Sequence, residues 1–135
     1  MGAWGYGSFE NDDAADFLDD VTDSGDTSLL REALDNVLTS TEYVEAPDAC
    51  QAIIAAEIIA AMSGRPTLAA ERQEELGEWL QRIRPAMDPE LVSQAREALL
   101  RILAENSELR ELWEEVEDYS EWQASLSELL LQLQS

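Results

Sequence analysis

Pro47-Asp48-Ala49-Cys50-Gln51-Ala52-Ile53-Ile54-Ala55-Ala56-Glu57-Ile58-Ile59-Ala60-Ala61-Met62-Ser63-Gly64 is the stretch that decides the fold. Its apolar residues occupy nearly every phase of a 3.6-residue turn, so almost no polar face is left for water. A helix apolar all round belongs in the middle of a helical body. Proline suits a first helical turn, where its missing N–H has no intrahelical partner, and Gly64 suits a stop. The alanines let neighbouring helices approach closely. The apolar runs on either side of Glu57 are too short to span a bilayer.

Amphipathic stripes extend outward from this segment. Asn11 predicts a capped helix start, with Asp12, Asp13 and Asp16 suiting the positive dipole end and Ala14, Phe17, Leu18 and Val21 forming a stripe. Ser24-Gly25-Asp26 reads as a turn, followed by a helix with Leu29, Leu30, Ala33, Leu34, Val37 and Leu38 on one face. One further helix is expected from Thr67 to near Arg84, with Leu68, Leu76, Trp79, Leu80 and Ile83 facing in. Asp88-Pro89 opens another, with Leu91, Ala95, Leu99, Ile102 and Leu103. Ser107 restarts the chain ahead of Leu109, Leu112, Trp113 and Val116. Ser120 with Gln123 reads as a capping box ahead of Trp122, Leu126, Leu129, Leu130 and Leu133. No alternating run is long enough for a strand, and no fixed repeat period is present. The expected fold is all-α, a compact bundle or short stack of six to seven helices in a single domain spanning residues 1–135.

Ahead of the first helix, Trp4, Tyr6 and Phe9 stand among glycines. Termini are normally loose, so residues 1–10 read as a structured plug in which glycines permit a tight loop and the aromatics are buried. The spacing fails both the dinucleotide and the triphosphate loop patterns, and Asp12 and Asp13 would repel phosphate.

The 135-residue chain has 30 acidic residues, 8 arginines and no lysine or histidine, for a net charge of -22. Residues 1–50 hold 13 of the acids and one arginine, residues 105–135 hold nine acids and one arginine, and the middle holds the other six arginines. Acidic ends argue against nucleic-acid and anionic-membrane partners. They suit a basic protein partner, or they serve solubility. No basic n-region precedes an apolar stretch, and Cys50 is the one cysteine. The chain therefore reads as cytoplasmic.

Without histidine there is no Ser-His or Cys-His pair. Without lysine there is no Schiff base and no phosphate-loop lysine. One cysteine cannot build the usual zinc cages. No metal and no cofactor is expected. A calcium loop starting at Asp20 fails because Arg31 stands where the bidentate Glu should be. Asp12, Asp16 and Asp20 lie one turn apart and read as a solvated acidic face.

Glu57 is the best single candidate site, because a carboxylate in apolar surroundings must be neutral or well partnered. It could anchor the plug by accepting from its amides, or serve as an active-site carboxylate. Cys50 reads as core filler.

Met1-Gly2-Ala3-Trp4-Gly5 with Gly7, Phe9, Asn11, Asp12 and Asp13 forms a distinctive opening. Tyr43-Val44-Glu45-Ala46-Pro47, Ala55-Ala56-Glu57 and Gly64-Arg65-Pro66 follow in the middle. Asn106-Ser107-Glu108-Leu109-Arg110-Glu111-Leu112-Trp113 and Trp122 stand in the tail. Together these resemble the bacterial family known as domain of unknown function 4259, with Tyr6 a minor departure. The resemblance implies a small helical domain and carries over no catalytic residue. The expected function is contact with another protein, as an immunity- or antitoxin-like protein or a nucleic-acid mimic. The candidate binding residues are Trp4, Phe9, Asn11, Asp12, Asp13, Asp16 and Glu57. The rival is a metal-assisted hydrolase that uses Glu57 with the N-terminal aspartates.

Overall fold

The computed structural model describes residues 5–40 and 42–134. Among the described residues eight helices follow one another: α1 (Asp12–Thr22), α2 (Ser28–Leu38), α3 (Ala46–Met62), α4 (Leu68–Glu71), α5 (Glu74–Ile83), α6 (Pro89–Leu103), α7 (Glu108–Glu114) and α8 (Tyr119–Gln132). No helix is long and apolar enough to cross a membrane among the described residues.

α3 is the axis of the structure. It packs against α1, α2, α4, α6, α7 and α8. Ala49, Ala52, Ala55, Ala56 and Ala60 have no exposed surface, and Ile54 and Ile58 are equally enclosed. Burying one isoleucine contributes about 1.5–3 kcal/mol, so the α3 side chains weigh heavily against a typical net stability of ~5–15 kcal/mol. Around α3, the stripes of α1, α2 and α6 point inward through Phe17, Leu18, Val21, Leu30, Leu34, Val37, Leu91, Leu99 and Ile102. Gly64 closes α3 at φ +79, a conformation that glycine adopts without strain.

Eight helices rather than six or seven form because the stretch after Thr67 breaks in two. A continuous helix would set Arg72 between Leu68 and Leu76 on the apolar face. Instead α4 ends at Arg72, Gln73 is extended, and α5 begins afresh. Arg72 thus stays exposed, and Leu68, expected to face in, is 58% exposed while Ala70 is buried in its place. Trp79 on α5 then reaches the core, and its indole N–H donates to the Ser24 carbonyl at 2.9 Å, tying α5 to the α1–α2 turn.

Two other expectations are corrected. The Ser120/Gln123 capping box does not form. α8 starts two residues earlier with Asp118 as its cap residue, and the Gln123 amide donates to the Tyr119 hydroxyl. Val116 lies beyond the end of α7 and is exposed.

The chain forms no strand among the described residues, but Val44 and Ser107 pair in a parallel bridge. The Val44 N–H donates to the Asn106 carbonyl, and the Glu108 N–H donates to the Val44 carbonyl. The Glu108 carboxylate accepts from the Ala46 N–H at 2.7 Å, capping α3 from 62 residues away. Asn106 adopts a left-handed φ of 62 to make the turn, a conformation Asn tolerates better than most residues.

Candidate functional site

Glu57 sits midway along α3 and is 2% exposed. Its helix supplies no partner, since its neighbours are alanines and isoleucines. The partner comes from the start of α4, where the Thr67 hydroxyl donates to Glu57 Oε1 at 2.7 Å. The same hydroxyl oxygen accepts from the Ala70 N–H at 3.2 Å as the α4 cap. One buried hydroxyl therefore serves two purposes. Ser8 of the N-terminal loop lies against the same carboxyl. Its oxygen is buried without a hydrogen-bond partner of normal geometry, yet it is near enough to favour the charged carboxylate. Burial pushes the Glu57 carboxyl above its ordinary range. The Ser8 and Thr67 hydroxyls offset part of that rise, and the charge of Glu128 adds to it.

The loop above Glu57 runs from Gly5 to Asn11. Glu10 donates its N–H to the Gly7 carbonyl in a turn. Ser8 and Phe9 are buried and Tyr6 is 43% exposed. A Cβ at Gly5 or Gly7 would meet the Glu10 carboxylate, a flexible side-chain end. Glycine is therefore only softly required at these two positions. Among the described residues the Thr67 hydroxyl donates to Glu57 and Ser8 of the loop lies against it; the expected donors from residues 1–4 lie outside the described residues. Trp4, named as a binding and core candidate, lies outside the described residues.

The other candidates divide by position. Phe9 belongs to the core. Asn11 caps α1, its side-chain oxygen accepting from the Ala14 N–H at 2.7 Å. Asp12, Asp13 and Asp16 are exposed on α1. The structure does not gather these aspartates around Glu57; the carboxylate whose charge reaches it is Glu128. No group of three or more acidic or cysteine side chains could hold a metal ion among the described residues. Cys50 is a protonated thiol, pushed up to about 12 by burial and by the charge of Asp13, and has little thiolate for nucleophilic chemistry.

Sequence reasoning missed two arrangements. Tyr43-Val44-Glu45-Ala46-Pro47 and the segment from Asn106 to Glu111, separate in sequence, meet at the parallel bridge. There the Tyr43 hydroxyl donates to the Glu111 carboxylate at 2.6 Å. That bond raises the Tyr43 phenol to about 12. The second arrangement is a cavity beside α6 lined by arginines, for which the arginine-rich middle of the chain was the available signal.

A small, strongly acidic, all-helical protein with one enclosed carboxyl is the class these features define. The family model described as Domain of unknown function (DUF4259) matches residues 2–125, and the chain belongs to that family. No curated protein and no solved structure matches it.

Proposed function

We propose that this protein is non-catalytic, resides in the cytoplasm, and acts by contacting a basic protein partner, in the manner of an immunity or antitoxin protein or of a nucleic-acid mimic. The observation that carries this reading is the surplus of surface carboxylates. Against 30 acidic residues stand 8 arginines, and the ion pairs among the described residues engage only Arg31 and Arg110. Asp12, Asp13, Asp16, Asp19 and Asp20 stand exposed along one short helix. A surface of one sign attracts and steers an oppositely charged partner. The burial of Glu57, 2% exposed, supports a tethering role over a catalytic one.

The test is capture from native-host extract with the wild type and with Asp12→Asn/Asp16→Asn/Asp20→Asn. These changes are on the surface and leave the core untouched. A basic protein retained by the wild type, released by salt and lost by the variant at unchanged melting temperature is expected. Equal retention by both proteins, or no basic protein in either, rejects the reading. Hydrolytic activity that disappears in Glu57→Gln would establish the enzyme instead.

A further inference from the structure

Charge in this protein is sorted in space as well as along the chain. The open groove beside α2 is lined by Asp26, Glu32 and Asp35 with Arg31 among them, and another on α5 by Glu74, Glu75 and Glu78. The cavity where the C-terminal ends of α3 and α8 meet the first turns of α6 differs from both. It measures about 290 Å³ and, among the described residues, has no acidic side chain in its wall. Arg65 and Arg96 stand on its polar side with Ser93, and Met87, Val92 and Leu133 supply an apolar side. Two of only eight basic residues thus share one concavity in a chain of net charge -22.

Each arginine has donors to offer. The Arg65 guanidinium gives one N–H to the Gln134 carbonyl, which orients the group and leaves the rest of its five donors. Arg96 is exposed and enters no ion pair among the described residues. The rim is held in place, because the Gln132 amide donates to the Pro66 carbonyl at 3.2 Å and joins the end of α8 to the loop after α3. Guanidinium groups match carboxylates geometrically, with two parallel N–H donors for two oxygens. The volume lies just under the ~300–1,000 Å³ of drug-sized ligand cavities, which suits a smaller ligand, and the mix of apolar side chains with a few polar groups is their usual chemistry. Remote acids oppose an anion only weakly here, since screening at physiological salt reduces their reach to ~8 Å.

We propose that this cavity binds a small amphipathic carboxylate, its oxygens on Arg96 and Arg65 and its alkyl chain against Met87, Val92 and Leu133. The site is independent of the acidic surfaces assigned above to a basic partner.

Sodium octanoate is the probe, titrated into the whole protein and followed by amide shifts in two-dimensional NMR, with octan-1-ol as the uncharged control. Saturable shifts in α6 and the end of α8 are expected with octanoate and not with octanol. Arg96→Gln should weaken octanoate about tenfold, the scale of one charge-assisted hydrogen bond. Ser93→Glu, an exposed change that brings a carboxylate to the wall, should abolish the shifts while leaving the melting temperature unchanged. Equal binding of octanol, unchanged binding by Arg96→Gln and Ser93→Glu, or no saturable shift with octanoate each overturns the proposal.

Discussion

Replacing Thr67 with valine removes a single oxygen and disturbs two interactions. The Thr67 hydroxyl caps α4 through the Ala70 N–H and donates to the buried Glu57 carboxyl. Loss of an N-cap costs ~1 kcal/mol. Leaving a buried acceptor without its donor costs a further ~1–3 kcal/mol. Thr67→Val should therefore destabilise by about 2–4 kcal/mol, against typical costs of ~0.5–3 kcal/mol for single substitutions. For a chain of this size that lowers Tm by roughly 3–5 °C per kcal/mol. The deficit should also depend on pH. The hydroxyl favours the charged carboxylate, so its removal raises the folded pKa of Glu57 further. A folded pKa above the unfolded one contributes stability that is complete below the unfolded value, ~4.3, and is lost as pH rises through the folded value. The variant should accordingly lose more at pH 8 than at pH 5. Urea unfolding at both values measures it, with Thr67→Ser restoring most of the stability. In a Glu57→Leu background only the cap remains to be lost, ~1 kcal/mol. A pH-independent loss below ~0.5 kcal/mol, where mutational differences merge with ordinary surface effects, would refute the account of the buried pair.

Four further outcomes follow from the same structure. Glu57→Gln keeps the shape and removes the titration, so it should flatten the acid-side gain in stability and leave the protein more stable than wild type at pH 8, as read by urea unfolding. Glu75 is also raised, by burial and then by Asp19, so wild-type Tm should rise on mild acidification and with sodium chloride up to ~0.5 M, where the screening length is short; a flat or falling Tm in calorimetry would exclude self-repulsion as a significant factor. Gly64→Ala, at φ +79, should cost about 1 kcal/mol or more, whereas Gly5→Ala should stay within ~0.5 kcal/mol because the Glu10 side chain can move aside. An alkaline titration followed by absorbance should show one tyrosine ionising at about 12, and Glu111→Gln should bring it down toward ~10.

The helical architecture was legible wherever one face of a segment had to be buried. α3 declared itself by lacking a polar face, α2 by its stripe, and α1 and α6 by their stripes and their Asn11 and Asp88-Pro89 starts. The break between α4 and α5 was not legible from apolar residues alone. It follows from where Arg72 would have fallen, and charged positions were not weighed against the stripe. The Val44–Ser107 bridge carries no periodic signal, because a single pairing across 62 intervening residues depends on how α3 and α7 pack. Glu57 stood out as a charge within an apolar helix, but its donor did not. Thr67 read only as a helix start, and nothing in local spacing reveals that a cap hydroxyl points back into the core. The arginine-lined cavity likewise arises only when the ends of three helices converge.

The central position of α3 has a consequence for synthesis. The helix is made when the chain has reached Met62, but α6, α7 and α8, which cover it, are not complete until Gln132. At ~5–20 residues per second the ribosome needs roughly 4–14 s to deliver those 70 residues. During most of that time α1, α2 and the short α4 are the partners available to a helix that is apolar nearly all round. The nascent chain thus passes through an interval in which its most adhesive segment is half dressed. Thirteen acidic residues and one arginine lie in the first fifty positions, and like charge of that density opposes close contact between neighbouring chains while the covering helices are still missing.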